Sequence, residues 1–210
     1  NRLVSDLMEE HTLKVARIVN PHLRGADLLL ALARSFGIQT DSHDPALLHE
    51  LLEKTFVEWG GRGVRPLLII EEAHLIVGRQ EFNMLQSLLA LEADGLPVLT
   101  MLLCGSPYLD RRARTVRGIG ERIALSALVE PLGSDELRPY LDFLMATAGG
   151  TSELFDDSAV ATIFDQTHGI PRRINRVAEL ALLAGAAYEA DVIDHKLITN
   201  VSQDLISRAA

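Results

Sequence analysis

Apolar positions recur along this chain at helical spacing in some stretches and as short unbroken runs in others. Leu3, Val4, Leu7 and Met8 share one helical face, so residues 1–10 predict a helix. A short, largely β-branched run over residues 14–19 then predicts a strand, closed by Asn20-Pro21. Residues 26–36 read as a second helix stopped by Gly37. Residues 45–59 read as a third, with Asp44 as N-cap, Pro45 at the first helical position and Gly60-Gly61-Arg62-Gly63 as its end. Residues 66–70 form an unbroken apolar run that ends in Glu71 and Glu72, the pattern of a parallel strand buried on both faces. Helical spacing returns at Phe82, Leu85, Leu88, Leu89 and Ala93, predicting a helix over residues 80–93 that Gly95-Leu96-Pro97 terminates before a strand over 98–104. Gly105-Ser106-Pro107 makes the next turn, and an arginine-rich stretch leads to a further strand expected over 123–129.

Strand–helix alternation of this kind predicts parallel βαβ units. After Pro131 the pattern changes. Residues 134–148, 157–167, 171–188 and 194–208 all read as helices with no comparable strand between them, Ser134 and Asp194 serving as N-caps and Gly149-Gly150 and Gly169 as stops. The expected organisation is an α/β unit over residues 1–131 followed by an all-α unit over 132–210. There is no internal repeat and no low-complexity segment.

Composition narrows the function classes. The 210 residues are 48% apolar and 23% charged, a globular balance that rules out disorder. The longest nearly uninterrupted apolar stretch, residues 96–105, is far short of the roughly 20 residues a membrane-spanning helix needs. One cysteine, Cys104, allows no internal disulfide, and a reduced, cytoplasmic setting is the default. A formal charge of -9 has the wrong sign for a surface that grips a phosphate backbone throughout, so any nucleic-acid binding must be local. The histidines show no metal-ligand spacing, so zinc is not expected, and Cys104 reads as a small buried hydrophobe.

Three groups of residues can carry chemistry. Glu71 and Glu72 stand at the C-terminal end of the predicted buried strand, where open α/β sheets bind ligands. One acid there suits a hard cation that keeps several waters, and the other, pointing to the opposite side, can orient or deprotonate an attacking water. Equally, a strand can simply end in two solvated acids. Arg172 and Arg173 follow Pro171 at the start of a helix, where cations oppose the helix dipole and a phosphate would explain them; a solvated basic first turn is the alternative. Arg111, Arg112, Arg114, Arg117 and Arg122 crowd into twelve residues, a local patch that could reach a neighbour's triphosphate, bind nucleic acid or be a solvated loop. Ser106, just past a predicted strand, is placed either to touch a γ-phosphate or simply to make the turn before Pro107.

Taken in order and spacing, the segments LLIIEEAH, LLCGSPYL, GERIAL and GIPRRIN resemble an AAA+ ATPase, more narrowly the family of general secretion pathway protein A (ExeA-like). The resemblance spans nearly the whole chain. It implies a P-loop NTPase parallel sheet with helices on both faces, a helical lid, and ATP with Mg2+ as ligands. It further implies Glu72 as the Walker B glutamate that activates water, with Glu71 at the metal-side position usually held by aspartate. Ser106 falls at sensor 1 and Arg172, beside Arg173, at sensor 2. Arg122 resembles the arginine finger that completes a neighbouring subunit's site, with Arg117 as the alternative.

The resemblance also implies a homo-oligomer, a secretion or membrane-associated partner complex, and a place in the cytoplasm or at the cytoplasmic face of the inner membrane. The other family it resembles is the DNA-binding transposition regulators of the MuB and TniB type, in which DNA would be the partner. One element departs from the pattern: no Gly-x-x-x-x-Gly-Lys-Ser/Thr occurs in the chain, whereas the family carries it directly before a helix resembling residues 1–10. The expectation is that the chain starts just after its P-loop, with the strand before that loop lying between the 98–104 and 123–129 strands. Alone, the chain is then expected to self-associate and to leave ATP unbound.

Overall fold

The computed structural model describes residues 12–207 apart from 20, 77 and 117; the helix expected over residues 1–10 lies outside the described residues. By internal packing the chain divides after Ala127 into two compact units.

The first unit is built on a parallel sheet of three strands in the order β1-β2-β5. β1 (Leu13–Ile18) is followed by α1 (Gly25–Ser35) and α2 (Pro45–Gly61), then by β2 (Arg65–Ile70). The Asp44 carboxylate accepts the Ala46 N–H, and Pro45 occupies the first turn of α2, where a missing N–H costs nothing. β2 pairs in parallel with β1 on one side and β5 on the other, Val15 opposite Leu67 and Leu67 opposite Thr100. Pro66 through Ile70 are all buried, as a strand covered on both faces requires. Phe36, at the end of α1, meets Phe56 and Trp59 of α2 edge-on, with Phe36 and Phe56 ring centres 4.9 Å apart.

Two expectations fail here. The helix expected over residues 80–93 ends early: α3 is Arg79–Leu89, and β3 (Glu92–Ala93) then pairs antiparallel with β4 (Leu96–Pro97). Asp94 and Gly95 between them have φ of +52° and +76°, the left-handed pair that an Asp-Gly hairpin turn demands. Gly95-Leu96-Pro97 is therefore part of a hairpin, not a helix stop. β5 (Thr100–Leu103) follows, then α4 (Tyr108–Thr115) and a 3₁₀ turn at Gly120–Arg122. Residues 123–129 are not a strand. They have no ladder partner among the described residues, with Leu125, Leu128 and Val129 exposed to 83%, 65% and 94%. An apolar run becomes a strand only where a neighbouring edge supplies its hydrogen bonds, and among the described residues none does.

The second unit is helical: α5 (Ser134–Thr147), α6 (Asp157–Thr167), α7 (Pro171–Ala187) and α8 (His195–Ser207). Its core gathers Leu137, Leu141, Phe155, Ile163, Ile174 and Ile198. Gly133, one residue before the expected Ser134, caps α5, its N–H donating to the Glu136 carboxylate at 2.7 Å. Asp156 caps α6 by accepting from Ala159 N–H, and the Asp194 carboxylate accepts from Lys196 and Leu197 N–H at the start of α8. A parallel bridge between Phe155 and Ile193 ties those two helix starts together.

Candidate active site

β2 ends at Ile70, and the chain turns at once. The Glu71 N–H still donates to Ile18 on β1, whereas Glu72 takes φ 49° and ψ 34°. A non-glycine residue in the left-handed region costs about 1–2 kcal/mol, and such strain tends to sit where a side chain must be aimed. The two adjacent acids point apart. The Glu71 carboxylate goes to β1, where Oε1 accepts from Arg17 Nε at 2.7 Å and lies 2.6 Å from a terminal guanidinium nitrogen. Glu72, 61% exposed at its side chain, lies on the β5 side, with Oε2 3.6 Å from His74 Nδ1.

The end of β5 meets this turn. The Cys104 carbonyl accepts the Ala73 N–H at 2.8 Å, and the Ser106 N–H donates to His74 Nδ1 at 3.3 Å. Ser106 is thereby brought beside the Glu72 turn, as their strand ends adjoin. Cys104 is half-buried, not buried as expected; burial first, and then the Glu71 charge, push its thiol above its ordinary value.

The arginine-rich stretch is largely engaged internally. Arg112 donates to the His74 carbonyl at 2.8 Å and lies over the Phe82 ring. Arg114 pairs with Asp110, whose carboxyl is held below the usual range by that hydrogen bond and by the Ser126 hydroxyl. Arg122, exposed in its 3₁₀ turn, donates to the Gly118 carbonyl at 3.1 Å, and Arg111 lies over Tyr108. Arg117 lies outside the described residues.

In the second unit Arg172 and Arg173 are exposed on the first turn of α7. The turn before them is tightly specified: His168 and Gly169 are both left-handed, and a Cβ on Gly169 would overlap the Leu132 carbonyl. The Tyr140 hydroxyl donates to Asn175 one turn further on, at 2.9 Å.

The acids also bear on a metal. Carboxylate oxygens are the hard donors Mg2+ prefers, and Glu71 fits that chemistry, although a cation there would share the carboxylate with the Arg17 guanidinium. Arg17 carried no periodic or motif signal in the sequence, and His74 entered only as the last residue of the LLIIEEAH segment. What could have found Arg17 is its place on the predicted strand beside the acids.

A parallel sheet with paired acids at the C-terminal end of its middle strand has the place where open α/β folds bind their ligands. The chain belongs to the AAA domain family, whose model matches residues 2–113. Within that family it is 31% identical over 186 residues to general secretion pathway protein A of Aeromonas hydrophila, a match that takes in 87% of this chain and 34% of that protein. Among solved structures it is similar to Cdc6p from Pyrobaculum aerophilum, with TM-score 0.71, 15% identity, and 97% of this chain and 56% of that one covered. The Aeropyrum pernix ORC2 protein, solved as ADPNP–ADP complexes, gives TM-score 0.67 and 14% identity over 96% of this chain and 55% of its own. The chain therefore spans about a third of the secretion protein's length and a little over half of these structures.

Proposed function

We propose that the complete protein binds Mg-ATP and hydrolyses it, driving assembly or remodelling of a partner complex of the secretion type at the cytoplasmic face of the inner membrane. The observation that carries this reading is the divergence of Glu71 and Glu72 at the end of a buried middle strand, with the Ser106 turn beside Glu72. Identity to general secretion pathway protein A supports the partner class.

In this reading Glu72 orients and deprotonates the attacking water. Ser106 contacts the γ-phosphate, and Arg172 and Arg173 grip phosphates from the helical unit. Arg122 reaches the site of a neighbouring copy in a homo-oligomer, with Arg117 as the alternative. Glu71 would hold Mg2+, which would supply positive charge to offset that of the phosphates. Glu72→Gln in the full-length protein tests the reading: ATP binding is retained while turnover falls by about a hundredfold or more. Undiminished turnover removes Glu72 from the mechanism.

A further inference from the structure

His74 sits where the two strand ends meet, and its ring faces both of them. Nδ1 accepts the Ser106 N–H at 3.3 Å and stands 3.6 Å from the Glu72 carboxylate. Because that nitrogen accepts a hydrogen bond, the ring hydrogen belongs on Nε2, and Nδ1 offers a lone pair. A lone pair holds an N–H but has no proton to give a carboxylate. In this state the ring therefore fixes the Ser106 backbone and leaves Glu72 unbonded by the imidazole.

The position of the ring is itself determined from several sides. The Ala73 N–H is held by the Cys104 carbonyl at 2.8 Å, and the His74 carbonyl by Arg112 at 2.8 Å, with Arg112 in turn resting on the Phe82 ring. Gly105 lets the β5 end come close: a Cβ there would stand 3.0 Å from His74 Nδ1 and 3.3 Å from the His74 nitrogen. Both values are tighter than an ordinary contact. Such fastening exceeds what a solvated turn histidine needs.

We infer that His74 is a positioning residue: through Nδ1 it fixes the Ser106 turn against the acid turn, and so sets the spacing between Glu72 and Ser106 at which a γ-phosphate and its water would be held. This rests on the ATPase reading above. It assigns His74 a task separate from chemistry, since the ring donates nothing to the reacting atoms. Displacing a catalytic group by about 1 Å can cost on the order of a hundredfold in rate.

The test uses the full-length protein with His74→Ala and His74→Asn, the Asn side-chain oxygen standing near the Nδ1 position and able to accept the Ser106 N–H. For His74→Ala, kcat for ATP falls about ten- to a hundredfold while KM stays within about twofold. His74→Asn recovers most of the loss. Amide hydrogen exchange at Ser106 accelerates in His74→Ala and is restored in His74→Asn. An unchanged kcat in His74→Ala, or Asn as slow as Ala, overturns the inference. If the unsubstituted protein shows no ATP turnover, the ATPase reading fails on its own, and the Ser106 exchange rates then decide whether His74 fixes that turn. Should His74→Ala fail to fold, His74→Asn still decides: it must keep both kcat and slow Ser106 exchange.

Discussion

At the acid turn, the Glu71 carboxylate reaches across to Arg17 on the neighbouring strand and pairs with it. The pair is partly exposed, so it contributes at most about 1 kcal/mol. A cation at Glu71 would share that carboxylate with Arg17. In the full-length protein, Arg17→Leu should lower the Mg2+ concentration giving half-maximal ATP turnover by about two- to fivefold; an unchanged midpoint means that Arg17 and the cation do not compete. Glu71 and Glu72 were legible because an unbroken apolar run can end in charge only at the sheet's edge, where ligands bind. That they point to opposite sides was legible from alternation along a strand; the left-handed backbone at Glu72 was not, since no residue there advertises it. Arg17 was invisible, and His74 showed only as the end of LLIIEEAH, with nothing to mark its task. Each matters through a partner 32 or 54 positions away, a distance that no local pattern encodes.

Among the elements, those set by their own residues were read well and those set by neighbours were not. Asp44 with Pro45 starts α2, and the apolar run over 66–70 is β2, because cap chemistry and burial act locally. Residues 123–129 have the right residues for a strand but no partner to pair with, and the Asp-Gly turn was overlooked because helical spacing runs on into Ala93. Gly169 is a stop for a stronger reason than helix termination. Its φ of +72° and the Leu132 carbonyl both exclude a side chain, so Gly169→Ala should destabilise the helical unit by about 2–4 kcal/mol, read as a lower urea midpoint of its unfolding.

The α6 cap gives a pH-dependent counterpart. The Ser158 hydroxyl first, then the Ala159 N–H, hold the Asp156 carboxyl below its usual range. A depressed acid contributes stability above its unfolded value of about 3.9 and loses it as pH falls through the lower folded value. Asp156→Ala should then cost about 1 kcal/mol at pH 7. Asp156→Asn keeps most of the cap and removes its share of the acid-limb loss, measured by denaturation at a series of pH values. A persisting acid-limb loss of the same size in Asp156→Asn would place its origin elsewhere.

At the scale of the whole chain, charge and apolar exposure point to different partners. The net charge of -9 already opposed binding to a phosphate backbone. Arg112, Arg114 and Arg122 now prove to be held by intramolecular partners, which leaves the arginine stretch less able to grip DNA than its count suggests. The apolar side is more pressing. Leu125, Leu128 and Val129 are almost bare in a stretch with strand-forming residues, and β5 is paired through β2 alone among the described residues. An unladdered apolar segment and an unpaired strand edge both recruit other chains, since pairing satisfies backbone groups worth about 1–3 kcal/mol each when left buried and unbonded. The 210-residue chain on its own should therefore self-associate at micromolar concentration. Leu125→Lys with Val129→Lys should restore a monomer by light scattering, because each charge would have to be desolvated before the segment could join a ladder. If the double variant associates as strongly as the parent chain, residues 123–129 are not the adhesive surface, and the β5 edge becomes the place to substitute next.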